Sequence, residues 1–203
     1  VLFRSGVERL KPQAIASYRN TLGLYQDFPE IMRAAMPREA LWVRDISFHQ
    51  TTWANRIFPV YGPRDSIYSV GAAIGTGMPL AIGAALGAPD RKVVALEGDG
   101  SAMYGIQGLW TAAHLKRPIT YVIAQNRGYR IIKERLVSMQ GSNRFIGMDI
   151  REPDIQFAAL AQSMGLQATQ ITDPKDLGDA LKAGLASGRP NLIEVFVADG
   201  FGT

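Results

Sequence analysis

Oxygen-bearing side chains follow two short apolar runs of the sequence, at the point where each run ends. The run 93–96 leads into a Gly-Asp-Gly turn centred on Asp99, and the run 120–124 leads into Gln-Asn-Arg-Gly, which contains Asn126 and Gly128. A carboxylate, an amide oxygen and a backbone carbonyl near Gly128 are hard oxygen ligands of the kind that Mg²⁺ or Ca²⁺ prefers. The residue types and their spacing therefore indicate a divalent-metal site.

One βαβ unit would position these residues. The two apolar runs are predicted as strands, and the stretch between them has the spacing of a helix. Neighbouring strands of a parallel sheet end on the same edge, so Asp99 and Asn126 are expected side by side, where open α/β sheets bind ligands. Gly100 and Ser101 are expected to open the helix, whose unpaired N–H groups suit a phosphate. The parts together predict a metal–diphosphate site.

The motif resembles that of a known family. Gly-Asp-Gly, followed by 25 residues and then Asn-x-Gly, is similar to the diphosphate-binding motif of thiamine-diphosphate (ThDP) enzymes. The chain from about Ala40 to Val197 resembles the C-terminal cofactor-binding domain of the benzoylformate decarboxylase and acetohydroxyacid (acetolactate) synthase group. The resemblance implies ThDP and Mg²⁺ as cofactors, with Asp99, Asn126 and the Gly128 carbonyl as metal ligands. The family usually has two adjacent asparagines where this chain has Gln-Asn, and the ligand is the second of the two.

The resemblance also implies residues that contact the cofactor. Ile74 aligns with the apolar residue wedged between the two cofactor rings, although from the sequence alone it is equally an ordinary core residue. Tyr129 and Ile132 would line the pocket, and Ile132 replaces a glutamate of pyruvate-decarboxylase-type members, which favours an apolar wall. The implied cofactor-binding set is Ser47, His49, Ala72, Ile74, Gly98, Asp99, Gly100, Ser101, Asn126, Gly128 and Tyr129.

The catalytic carboxylate of this family lies on a separate pyrimidine-binding domain, usually of a neighbouring subunit. Only about forty residues precede the first predicted strand, and Glu97 stands at the diphosphate end of the site. We therefore assign no catalytic residue to this chain. We expect an anchor fragment, inactive alone, of a decarboxylase or acetolactate-synthase-like carboligase that acts on a 2-oxo acid and forms a homodimer or homotetramer at full length.

Two other functions are open at this stage. The chain could be a non-catalytic ThDP-binding partner subunit. It could also be an NAD-type dinucleotide-binding domain, because Gly75-x-Gly77 with Glu97 after the next strand imitates that fingerprint. The third glycine position holds Leu80, and Pro79 lies inside the supposed turn, so the imitation is weak.

Composition limits the protein class. The 203 residues include 22 Lys and Arg against 18 Asp and Glu, and no Cys. The scattered basic residues argue against a nucleic-acid partner, and no apolar run reaches the ~20 residues of a membrane helix, so we expect a soluble, cytoplasmic protein. The opening residues indicate a truncated or partly foreign start. We predict a lead-in segment, 1–38, and one α/β domain, 39–203, with an open, mostly parallel sheet and helices on both faces.

Several local predictions complete this assignment. Strands are expected at 40–43, 93–96, 120–124 and 192–197, with the connection 51–68 irregular. Asp154 is expected to cap one helix, and Asp173-Pro174 is expected to start another. The helix after Gly128 should cover 129–136, and the glycine- and serine-containing segment 138–148 should be mobile.

Overall fold

Strands and helices alternate along the chain in the computed structural model, which describes residues 8, 10–17, 27–45, 58–69, 71 and 73–198. The strands are β1 (Leu41–Arg44), β2 (Ser66–Tyr68), β3 (Val93–Gly98), β4 (Ile119–Gln125), β5 (Gln167–Ile171) and β6 (Asn191–Phe196). The helices with both ends described are α1 (Phe28–Ala35), α2 (Gly77–Gly87), α3 (Asp99–Ala102), α4 (Gly108–His114), α5 (Arg130–Gln140), α6 (Phe157–Ser163) and α7 (Leu177–Ala186). In the described ranges, no helix combines the length and the apolar composition needed to cross a membrane.

The six strands of the described residues form one parallel sheet in the order β2-β1-β3-β4-β6-β5. The predicted open parallel sheet is confirmed. The four predicted strands correspond to β1, β3, β4 and β6, whereas β2 and β5 were not predicted. Both lie at the sheet edges, where β2 has only three residues and most residues of β5 are not buried, so neither produces an apolar run. The strand order reverses between β1 and β3, which is where open α/β sheets bind ligands.

The core has two layers because successive strand residues point to opposite faces of the sheet. On β3, Val94 and Leu96 pack against α1 and α7, whereas Val93 and Ala95 pack against α2, α4 and α6. Each fully buried aliphatic side chain contributes about 1.5–3 kcal/mol. The two central strands are buried along their whole lengths, and this rigid centre carries the polar residues that follow them.

Helix α6 begins differently from the prediction. Asp154 is not its N-cap, because the helix starts at Phe157, and the Asp154 carboxylate lies 3.0 Å from the Arg127 guanidinium. The first N–H groups of α6 donate instead to the buried Glu194 carboxylate on β6, from Phe157 at 3.3 Å and Ala158 at 3.0 Å. A residue distant in sequence therefore replaces the local cap. At the other predicted helix start, Asp173-Pro174, the chain forms a 3-10 turn, Pro174–Asp176, and α7 follows from Leu177. The Asp173 carboxylate accepts the Lys175 N–H at 2.9 Å.

Candidate functional site

The end of β3 lies beside the end of β4, as expected for parallel neighbours. Gly98 pairs with Ala124 in the sheet register, so Asp99 and Asn126 follow adjacent strand ends. The Asp99 carboxylate accepts the Arg127 N–H at 2.6 Å and the Gly100 N–H at 2.8 Å. These bonds fix the carboxylate between the two turns.

The turn after β4 is held by its own asparagine. Asn126 Oδ1 accepts the Gly128 N–H at 3.1 Å, and Arg127 takes the left-handed conformation, with φ of 60°. The Arg127 guanidinium pairs with Asp154 and lies 4.9 Å from the centroid of the Phe196 ring. The side chain of Arg127 is therefore directed into contacts that support the turn and not into a bond with Asp99.

The Asp99 carboxylate is in an environment that disfavours its charge. Only 3% of the residue is exposed, and this burial raises its pKa to about 6, although hydrogen bonds from the backbone of Gly100, Arg127, Gly128 and Asn126 act in the opposite direction. Within the described part of the chain, no cationic side chain forms an ion pair with it. A bound cation would offset the cost of burying this charge.

The donor set fits Mg²⁺. One carboxylate, one amide oxygen and a backbone carbonyl are available at Asp99, Asn126 and Gly128, and the described residues contain no cluster of three or more His, Cys, Asp or Glu side chains. Mg²⁺ is commonly bound by one or two carboxylates, while water and substrate phosphates complete its octahedron. The sparse set is therefore suited to a metal that shares a diphosphate with the protein.

The expected long helix after Asp99 is interrupted. Helix α3 is a single turn, and α4 begins only at Gly108. The Gly100 N–H is already donated to Asp99. The Gly100 N–H is thus engaged within the protein, and phosphate binding at this helix N-terminus stays a prediction. Between the two helices the chain packs closely against the turn before α2, since a Cβ on Gly105 would lie 2.5 Å from the Gly75 carbonyl oxygen.

Tyr129 covers the Gly-Asp-Gly turn from the side of β4. A Cβ on Gly100 would lie 2.8 Å from Tyr129 Cε1, so a larger residue at this position would displace the ring. The Tyr129 N–H donates to the Met148 carbonyl at 2.9 Å, and the Ile150 N–H donates to the Arg127 carbonyl at 2.8 Å. The segment around Met148 thus forms one wall of the site.

The buried Lys133 on α5 forms an ion pair with the same segment of the chain. Its ammonium group lies 2.7 Å from Asp149 Oδ1, and its side chain is only 3% exposed. Helix α5 extends to Gln140, four residues beyond the prediction, so part of the segment expected to be mobile is helical. Sequence reasoning missed Lys133 and Asp149, although a lysine on the inward face of an otherwise exposed helix is a usable signal.

The remaining predicted contacts are only partly described. Ile74 lies in the turn before α2 and is 41% exposed, and Ile132 on α5 is 48% exposed. Neither is therefore an ordinary core residue. Ser47, His49 and Ala72 lie outside the described residues.

Glu97 does not fit a dinucleotide site. It is fully buried, and burial followed by the nearby Asp45 carboxylate raises its pKa well above the usual value. A Cβ on Gly77 would lie 1.9 Å from Glu97 Oε1, so the carboxyl group is under the start of α2. An acid that recognises a ribose must reach the ligand, which Glu97 in this position does not.

The sequence and the fold both match proteins of one family. A model described as thiamine pyrophosphate enzyme, C-terminal TPP binding domain, matches residues 45–195, where TPP is thiamine pyrophosphate, another name for ThDP. The chain is 32% identical over 166 residues to benzoylformate decarboxylase of Pseudomonas aeruginosa, a match that covers 82% of this chain and 31% of that protein. It is 35% identical over 163 residues to the acetolactate synthase large subunit of Parasynechococcus marenigrum, covering 80% and 26%.

A solved structure gives the same relationship. The thiamine diphosphate-dependent 4-hydroxybenzoylformate decarboxylase of Rhodococcus jostii RHA1 superposes with a TM-score of 0.77 at 31% identity, covering 86% of this chain and 32% of that one. The chain thus spans about a third or less of the length of these relatives. Because the family model covers most of the chain, the chain belongs to the family of C-terminal TPP-binding domains of thiamine pyrophosphate enzymes.

Proposed function

We propose that this chain anchors ThDP through Mg²⁺ as part of an enzyme that acts on 2-oxo acids, either a decarboxylase or an acetolactate-synthase-like carboligase. The observation that carries the proposal is the buried Asp99 carboxylate, which receives backbone N–H groups at the junction of two turns. Such a carboxylate costs stability without a cation and suits an anchor for one. The relatives named for benzoylformate and 4-hydroxybenzoylformate support a 2-oxo acid as the substrate class.

The residues of this chain would hold and orient the cofactor. Asp99, Asn126 and the Gly128 carbonyl would hold Mg²⁺, and the metal would bind the diphosphate. ThDP would supply, when bound, the nucleophilic carbon for reaction at the substrate carbonyl. The exposed Ile74 would support the cofactor's rings, and the exposed Ile132 would form an apolar wall beside the substrate.

The complete enzyme would need a second domain. The carboxylate that activates the cofactor in this family lies on the pyrimidine-binding domain, and Glu97 is too deeply buried to replace it. We therefore propose that this chain works with a pyrimidine-binding domain of the same or a neighbouring subunit, in a homodimer or homotetramer, and that it is inactive alone. A non-catalytic partner subunit is the alternative function, because it would need the same second domain.

Calorimetric titration with ThDP, with and without Mg²⁺, tests the anchor. Wild-type protein is expected to bind ThDP only when Mg²⁺ is present, and Asp99→Ala is expected to abolish the metal-dependent binding. Asp179→Ala is the matched control, because this aspartate is on α7 with a 93% exposed side chain and should leave binding unchanged.

The outcomes separate the candidate functions. Binding of NAD without metal would refute the proposal and favour a dinucleotide domain. Metal-dependent ThDP binding that survives Asp99→Ala would place the anchor elsewhere. Restored turnover of benzoylformate on mixing with a pyrimidine-binding domain would favour the enzyme over the non-catalytic subunit.

A further inference from the structure

The turn before α2 rests on a buried carboxyl group. Glu97 on β3 is fully buried, and neither of its carboxyl oxygens has a hydrogen-bond partner in the described part of the structure. A Cβ on Gly77 would lie 1.9 Å from Glu97 Oε1 and 2.7 Å from its Cδ. The Glu97 side chain therefore occupies the space that any side chain at position 77 would take.

A second strand end holds the same glycine. The Asp45 carboxylate accepts the Gly77 N–H at 3.0 Å, and Asp45 Cβ lies 2.9 Å from the place where a Gly77 Cβ would be. Helix α2 has eleven residues, and oxygen atoms at its N-terminus face the positive end of the helix dipole. The side chains of Glu97 and Asp45 thus pack against Gly77, the first residue of α2.

The turn is also held from above. Gly75 has φ of 80°, and a Cβ there would lie 2.3 Å from Tyr104 Cβ. The Thr76 hydroxyl donates to the Ala73 carbonyl at 3.2 Å. With Tyr104 on one side and Glu97 on the other, the turn has little freedom to shift, while Ile74 at its tip is exposed.

We propose that Glu97 is a positioning residue. It fixes the position of the Ile74 side chain relative to the rings of the cofactor without touching the cofactor itself. This inference rests on the proposed function, since it requires that Ile74 faces ThDP. If the side chain of Glu97 is removed, Gly77 loses its packing contact with the carboxyl group, and the turn that carries Ile74 is free to move. The diphosphate anchor at Asp99 belongs to a different turn and should be unaffected.

Two ligands distinguish positioning from general support. Affinities for Mg²⁺–ThDP and Mg²⁺–pyrophosphate are measured by calorimetry for the wild type, Glu97→Ala and Glu97→Gln. Pyrophosphate needs only the anchor, whereas ThDP also needs the turn that carries Ile74. Glu97→Ala is expected to weaken ThDP binding by about tenfold and to leave pyrophosphate binding unchanged. Glu97→Gln keeps the size of the side chain and should bind both ligands as the wild type does.

Gly77→Ala disturbs the same contact from the side of α2. It provides the test if Glu97→Ala does not fold. It should also weaken ThDP binding selectively, and the loss should be smaller when Glu97→Ala is present, because the clashing oxygen has been removed. Equal loss of both ligands, or no loss of either, would overturn the positioning role. A wild-type protein that binds Mg²⁺–pyrophosphate and ThDP equally well would overturn it too, whereas binding of neither would refute the proposed function itself.

Discussion

The buried Asp99 carboxylate makes the stability of the metal-free protein depend on pH. Its pKa rises from the usual 3.8 to about 6 in the folded protein. A carboxyl group whose pKa is raised by folding binds protons more tightly in the folded state. Its contribution to stability is therefore complete below about pH 4 and is lost as the pH rises through about 6.

The magnitude follows from the two pKa values. The full difference corresponds to about 3 kcal/mol, and Asp99 is so little exposed that solvent screening removes little of it. Between about pH 4.5 and about pH 7.5, the free energy of unfolding should fall by about 2 kcal/mol because of this one group. Other residues titrate in the same interval, so the effect must be measured as a difference between two proteins.

Urea unfolding of the wild type and Asp99→Asn, both without metal, isolates the effect. The variant cannot ionise at this position, and any loss of its hydrogen bond to Gly100 or Arg127 adds a constant that does not depend on pH. We expect the stability of the wild type relative to the variant to decrease by about 2 kcal/mol between about pH 4.5 and about pH 7.5. Parallel pH profiles would show that folding does not raise the pKa of Asp99. A rising difference would show that its pKa is lowered by folding.

Three further substitutions test separate contacts. Gly100→Ala places a methyl group 2.8 Å from Tyr129 Cε1, so it should lower stability by about 1–3 kcal/mol and weaken Mg²⁺–ThDP binding; wild-type affinity in this variant would contradict the geometry of the turn. Gly83→Ala, on α2, meets no heavy atom within 4 Å and should raise stability by about 0.5–1 kcal/mol, visible as a higher melting temperature with unchanged ThDP affinity. Glu194→Ala leaves the first N–H groups of α6 without their acceptor and should lower the free energy of unfolding in urea by about 3 kcal/mol. A much smaller loss would indicate that a local residue caps α6 instead.

The sequence predicted the centre of the sheet well because that part of the structure depends on local patterns. Two apolar runs followed by Asp99 and Asn126 determine both the strands and the edge at which those residues meet, since parallel neighbours must end together. The edge strands β2 and β5 lack that pattern, because they are short or mostly not buried. Their places in the sheet are determined by neighbours that are distant in the chain.

The errors at helix ends have the same origin. Asp154 has the right type and place for a cap, but Glu194 reaches the first turn of α6 from β6, and Asp154 pairs with Arg127 instead. The chain after the single turn at Asp99 likewise packs against a distant segment, where Gly105 lies close to the carbonyl of Gly75. Both helix ends therefore lie beside contacts between residues far apart in sequence, which local propensity does not encode.

The two fully buried glutamates of the described residues, Glu97 and Glu194, differ in their hydrogen bonds, and the difference bears on function. Glu194 is fully buried, yet its oxygens accept the N–H groups of Phe157 and Ala158 and the side-chain amide of Gln170. These hydrogen bonds offset the cost of burying a carboxylate that has a structural role. Glu97, equally buried, has no such donors among the described residues, and burial, followed by the nearby Asp45 carboxylate, raises its pKa. A buried polar group that the scaffold leaves unsatisfied costs stability, and Glu97 lies directly under the turn that carries Ile74. The contrast with Glu194 is therefore the reason to look for the purpose of Glu97 at the cofactor site and not in the stability of the sheet.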